Sequence, residues 1–185
     1  MRAYPSHVDD LPDRPPLPRD TGAWGALPAP WRAVEVVDEV GSTNAALATR
    51  ADAGERAGLV LVAEEQTSGR GRLDRSWSSP PRAGLTFSVL LRPAVPSARL
   101  GWLPLLTGLA VADAVTAVTG VRARLKWPND VVVEDADGTL RKLAGVLSEI
   151  RPGALRTGRS VEGLDLGQER DAVVVGVGLN VSTTE

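Results

Sequence analysis

With 185 residues, 43% of them apolar and 24% charged, the chain has the size and composition of one soluble globular domain. A net charge of −2 gives no global reason to expect a nucleic-acid partner, and the absence of cysteine excludes disulfides, thiolate metal sites and cysteine nucleophiles. The single histidine, His7, lies in a proline-rich segment, which argues against histidine base catalysis and a His-rich metal site. No uncharged apolar run reaches the roughly 18 residues of a membrane span and no signal-peptide core follows the start, so no membrane partner is expected and a reducing cytoplasm is the expected compartment.

Residues 1–30 hold seven of the fourteen prolines and show no apolar period, which predicts a disordered arm, with residues 31–185 as the folded domain. Trp24 and Trp31 are the residues by which such an arm would dock. The fold begins with a short strand at Val34–Val40. Ser42 or Thr43 then caps a helix through Ala45–Ala48 that stops at Gly54, a start whose free N–H groups suit a polar or anionic group as well as a plain cap. A buried strand follows at 59–65, and behind it two glycines alternate with two arginines at Gly69-Arg70-Gly71-Arg72. Glycine permits close backbone approach and arginine offers a planar fork for carboxylate or phosphate. Taken alone, this stretch reads equally as an exposed basic loop.

Gly84–Arg92 alternates in β-formers and predicts a strand. Ser97 opens a long helix to Thr119, with Leu100, Leu103, Leu106, Ala110, Val111, Ala114 and Val118 on the face expected to cover the core. Strand pieces at Ala123–Trp127 and Asp130–Glu134 are broken by Pro128-Asn129. An Asp137-Gly138 turn leads into a strand at Leu140–Ile150, a polar loop spans 151–171, and a buried strand runs from Ala172 to Val181. Hairpin-paired strands with two helices give an α+β domain built on a mixed, largely antiparallel sheet flanked by helices. Polar residues interrupt three buried elements, at Lys126 with Asn129-Asp130, at Lys142 and at Asn180. Lys142 alone would read as a solvent-facing strand residue, but several such breaks on different strands favour convergence on one cleft.

Gly41-Ser-Thr-Asn44, Glu65-Gln-Thr-Ser-Gly-Arg-Gly-Arg72, Ser76-Trp77, Lys126-Trp-Pro-Asn-Asp130, Arg141-Lys-Leu-Ala-Gly145 and Gly176-Val-Gly-Leu-Asn-Val181 occur in this order along the chain. In these motifs, over roughly residues 34–182, the chain resembles the biotin protein ligases. The resemblance implies a fold related to class II aminoacyl-tRNA synthetases and an ATP-dependent ligase. Its substrates would be biotin and ATP, used with Mg2+ to form biotinyl-5′-adenylate, and its protein partner the biotin carboxyl carrier domain of acetyl-CoA carboxylase or a related carboxylase. A monomer or weak dimer is expected, and no DNA partner, because the N-terminal DNA-binding domain of some members has no counterpart here. By the same resemblance no counterpart of the family's small SH3-like C-terminal domain is expected within these residues, and Leu73-Asp74-Arg75 stands where many members have a further glycine.

By the same resemblance Lys142 and Arg72 are the catalytic candidates. Ser42, Thr43 and Gln66 would hold the ureido ring, with Asn44, Gly69, Arg70, Gly71, Arg72, Lys142 and Gly145 completing the biotin site. Arg70, Arg72, Trp77, Lys126, Asn129, Asp130, Lys142 and Asn180 would meet ATP or the adenylate, and no metal ligand is assigned. The residue types suit the chemistry, since joining an anionic carboxylate to a polyanionic triphosphate demands preorganised cations and N–H donors rather than an internal nucleophile. A lipoate or octanoate ligase, a truncated biotin-binding module and, more remotely, an RNA-binding Gly-Arg loop are the competing readings.

Overall fold

The computed structural model describes residues 15–79, 81–153 and 171–181. The arm before residue 15 and most of the polar loop at 151–171 lie outside the described residues. The remaining part of the arm carries a short 3-10 turn at Thr21–Trp24. The Leu17 N–H donates to the Glu64 carboxylate, and Arg19 pairs with Asp38.

The elements are β1 (Ala33–Val40), α1 (Thr43–Asp52), β2 (Leu59–Arg70), β3 (Ser76–Ser79), β4 (Gly84–Leu91), α2 (Leu103–Thr119), β5 (Ala123–Lys126), β6 (Asp130–Glu134), β7 (Leu140–Arg151) and β8 (Ala172–Asn180). The strands form one sheet in the order β1-β2-β4-β8-β7-β6-β5, with β3 paired to the end of β2. Only β1 and β2 are parallel, joined by α1 as the crossover a parallel pair requires; every other pairing is antiparallel. The fold is thus the expected α+β, with a mixed sheet.

The two helices cover opposite faces of this sheet, so β8 is apolar on both sides. Val174 packs with Leu47, Ala48 and Ala51 of α1 against Leu59, Leu61 and Leu90. Val173, Val175 and Val177 pack the other way, against Leu100 in the turn before α2 and Leu103 and Val111 of α2. A strand buried on both faces reads as a continuous apolar run, as 172–177 does. Arg151 at the end of β7 pairs with Asp52 at the end of α1, and this guanidinium holds the Asp52 carboxyl below its usual range.

Helix α2 differs from the sequence expectation. The segment Ser97–Trp102 is 3-10 rather than α, which shifts the phase of the α-helical turns after it. The buried stripe of α2 is Gly108 and Ala112, not Leu106, Ala110, Ala114 and Val118, which are exposed. The small residues let the helix lie close to the sheet, where a Cβ on Gly108 would stand 2.9 Å from the Leu125 side chain. By length and mean hydropathy (1.5) Ser97–Thr119 matches a membrane span, yet it lies against β5–β8 here. Substitution separates the two kinds of position. Leu47→Ala, at a fully buried site, is expected to cost about 3 kcal/mol in urea unfolding, and Val118→Ala, at a site 85% exposed, less than about 0.5 kcal/mol.

Candidate active site

The strand β2 does not end at Glu65, as its apolar run suggests, but continues to Arg70 through an irregularity between Gln66 and Gly69. There β3 folds back on it, pairing Gly69 with Trp77 and Arg70 with Ser76. Only residues 71–75 are therefore loop. Leu73 holds a left-handed backbone (φ 55°, ψ 43°) with its side chain exposed. Such a backbone is uncommon for a residue with a Cβ.

This hairpin overhangs a cleft of about 620 Å³. Of the residues singled out in the sequence, Ser42, Thr43, Asn44, Gln66, Arg70, Gly71, Arg72, Trp77, Asn129, Asp130, Lys142 and Gly145 all line it. They come from the start of α1, from β2 and β3, from the β5–β6 turn and from β7, so the fold gathers motifs spread over about 100 positions.

At one end of the cleft, Ser42 caps α1, its hydroxyl accepting from the Ala45 N–H at 3.4 Å. Thr43 donates its N–H to the Gln66 side-chain carbonyl at 2.8 Å, tying the first turn of α1 to β2. These residues are almost fully buried, and buried polar groups require partners. The Asn44 amide donates across to β7, to Glu149 at 2.8 Å and the Leu147 carbonyl at 3.3 Å.

At the other end lies the cationic centre. Lys142 Nζ is 3.1 Å from the Asp130 carboxylate and 5.2 Å from the centroid of the Trp77 ring, within reach of a cation–π contact. Its stem rests beside Gly145. Trp77 lies flat on β8, where a Cβ on Gly178 would stand 2.3 Å from the indole; only glycine admits the ring there. The KWPND turn, which contains a cis Trp127–Pro128 bond, is pinned to β7: Asn129 accepts from the Val146 N–H at 2.9 Å and its side-chain amide donates to the Val146 carbonyl at 3.0 Å. Its side-chain oxygen faces Arg72 at 3.5 Å.

Gly69, Lys126 and Asn180 do not line the cleft. Gly69 sits behind Trp77 and Gln66, where a Cβ would stand 2.4 Å from the Trp77 carbonyl. Lys126 is exposed at the outer strand β5. The Asn180 amide donates to the Lys142 carbonyl at 3.3 Å, so it supports the strand that presents Lys142. Gly176 and Gly178 escaped the sequence-based assignment as site residues, although two glycines inside a buried strand signal close approach by another group. Gly178→Ala is expected to expel the Trp77 indole, seen as a red-shifted tryptophan emission with the far-ultraviolet circular dichroism unchanged; an unaltered spectrum would contradict this packing.

Comparison with known proteins agrees with the geometry. Residues 38–163 match the biotin/lipoate A/B protein ligase family. The chain is 42% identical over 157 residues to the biotin–[acetyl-CoA-carboxylase] ligase of Mycobacterium tuberculosis, covering 82% of this chain and 50% of that protein. It is 34% identical over 151 residues to the bifunctional ligase/repressor BirA of Escherichia coli, covering 80% and 40%. The chain thus spans half or less of the length of the curated relatives it matches. Among solved structures, the biotin protein ligase of Aquifex aeolicus in complex with biotin and ATP superposes with a TM-score of 0.59 at 36% identity, covering 82% of this chain and 53% of that one. The Leishmania major biotin protein ligase in complex with biotinyl-5-AMP gives 0.59 at 28% identity, covering 81% and 57%. With fold, cleft and motif order in agreement, the chain belongs to the biotin/lipoate A/B protein ligase family.

Proposed function

We propose that this chain activates biotin with ATP as biotinyl-5′-adenylate and transfers the biotinyl group to a lysine of a biotin carboxyl carrier domain. The observation that carries this reading is one cleft with buried polar acceptors at one end and Lys142 at the other. A urea-like head group suits the first and a carboxylate the second. The relatives named for biotin ligation, and the neighbours bound to biotin, ATP and biotinyl-5-AMP, support it.

In the first step a carboxylate oxygen of biotin attacks the α-phosphorus of ATP, and the bond to the bridging oxygen breaks, releasing pyrophosphate with the electron pair. Lys142 neutralises charge on the carboxylate and the α-phosphoryl oxygens, while Asp130 and the Trp77 face hold its ammonium in place. Arg70 and Arg72, on the hairpin, close over the phosphates and shield the adenylate from water, and Trp77 offers its indole to the adenine. In the second step the carrier amine attacks the acyl carbon and AMP departs. The cytoplasm, where ATP and carboxylases meet, is the setting of this reaction.

Among the described residues no three carboxylate, histidine or cysteine side chains cluster as a metal site. One carboxylate, Asp130, together with phosphate oxygens is a donor set that Mg2+ accepts, and bound there it would offset triphosphate charge. Lipoate is the competing substrate, but its dithiolane has no N–H to offer the buried acceptors at Thr43 and Gln66.

ATP–pyrophosphate exchange distinguishes these substrates: biotin is expected to support exchange and lipoate to support little, and the reverse preference would overturn the reading. Lys142→Ala should lower biotin-dependent exchange by about 10²–10³-fold without unfolding the chain, as loss of a placed charge-stabilising donor does. Near-parental exchange would remove Lys142 from the chemistry. Arg72→Gly should speed release of the adenylate more than it slows its synthesis, measured by filter retention of labelled adenylate; equal retention would contradict a closing role.

A further inference from the structure

Below the floor of the cleft runs a chain of side chains that the mechanism does not use. Glu149, on β7, and Ser88, a fully buried residue of β4, do not line the cleft, yet they are linked through Asn44 to residues that do. The Asn44 amide nitrogen faces two acceptors, Glu149 at 2.8 Å and the Leu147 carbonyl at 3.3 Å. This fixes which end of the amide is which, because the recorded bonds to Glu149 and to the Leu147 carbonyl both run from the amide nitrogen. Asn44 Oδ1 therefore points at Ser88 Oγ, 2.6 Å away, and only the bare backbone of Gly176 leaves it room: a Cβ there would stand 2.1 Å from that oxygen.

Ser88 has one hydroxyl proton and contacts two oxygens, Asn44 Oδ1 at 2.6 Å and Thr43 Oγ1 at 2.7 Å. The two hydroxyl protons of Ser88 and Thr43 serve three oxygen–oxygen contacts. With the protons in the two shorter ones, Ser88 donates to Asn44 Oδ1, which can only accept, and Thr43 donates to Ser88, leaving the 2.9 Å contact with Gln66 as the one without a proton. The Thr43 proton is then no longer available to Gln66. The Gln66 side chain is fixed too, because its oxygen already accepts the Thr43 N–H at 2.8 Å. Thr43 Oγ1 and Gln66 Oε1, 2.9 Å apart, are thus left as two acceptors side by side at the cleft wall with no proton between them. Two close acceptors without a proton between them call for donors from outside, and a ligand that carries two N–H groups can supply both.

We propose that Glu149, Asn44 and Ser88 form a positioning relay that holds the Thr43 hydroxyl turned away from the cleft, so that Thr43 and Gln66 present a paired acceptor selective for a head group with two N–H donors. The carboxylate sets the direction of the whole chain. An apolar residue at 149 leaves the Asn44 amide held only by its longer bond to the Leu147 carbonyl, which loosens its orientation and frees the Thr43 hydroxyl to donate to Gln66 and mask both acceptors. This inference rests on the reading of the cleft as a biotin site, and it assigns selectivity to residues that never touch the ligand.

A double-mutant cycle on the full 185-residue chain tests it, with biotin affinity read by isothermal titration calorimetry. Glu149→Met and Ser88→Ala are each expected to weaken biotin binding about tenfold, and Glu149→Gln, which still offers an acceptor, by less than about threefold. Because the relay acts through Thr43, adding Glu149→Met to Thr43→Val should change affinity by less than about twofold. Ser88→Ala takes the place of Glu149→Met in the cycle if the latter does not fold. Unchanged affinity in the single variants, or losses that simply multiply in the double variant, would overturn the relay while leaving the biotin site intact. Absence of biotin binding by the parent chain would overturn the functional reading and the relay together.

Discussion

The attachment of the first turn of α1 to the sheet governs the shape of this site. A helix start has N–H groups without intrahelical partners, and here they are buried beside other polar side chains that must also be satisfied. Thr43 meets this constraint by bonding Gln66 on β2, and Asn44 by bonding Glu149 and Leu147 on β7. The helix is thereby fastened to two strands that are not neighbours, and the space between those fastenings and the β2–β3 hairpin is the cleft. The same bonds that hold α1 down decide which oxygens of the cleft wall are free to accept.

The other end of the cleft is governed by charge. Lys142 projects from a strand whose next residues toward the centre, Ala144 and Val146, are buried, so its ammonium emerges at the margin of the apolar core. Asp130 and the Trp77 ring give that cation two partners without enclosing it, and it remains partly accessible to an incoming anion. The supports of this arrangement are themselves motif residues: Asn129 pins the KWPND turn to Val146, and Asn180 bonds the Lys142 carbonyl. Residues that the motif suggests as ligand contacts can thus serve the site by holding its backbone in place.

Most of the strands and both helices were legible in the chain because their causes are local. Alternation in 84–91, the Ser42 cap and the doubly buried run at 172–177 each express one periodic or stereochemical rule. The core face of α2 was legible only in part: Leu100, Leu103 and Val111 pack on the core as expected, but a 3-10 opening shifted the phase and close packing favoured Gly108 and Ala112 over the larger residues. The extension of β2 to Arg70 was hidden for a similar reason: β3 supplies its partner, and pairing of that kind is not encoded in the apolar pattern of β2 alone. Most of the candidate site was found through motif order, which gathers residues no local rule connects. Ser88 and Glu149 were missed because nothing in their neighbourhood along the chain distinguishes them from ordinary strand residues; only the proton count across three elements does.

In the proposed reaction a biotin carboxylate placed beside Lys142 attacks the α-phosphorus of ATP. Biotin labelled with 18O in its carboxyl group, incubated with the chain and ATP and trapped with hydroxylamine, tests it directly by mass spectrometry of the nucleotide released. One labelled oxygen in each AMP is the predicted result. Unlabelled AMP, or ADP with labelled phosphate, would exclude attack of the carboxylate on the α-phosphorus.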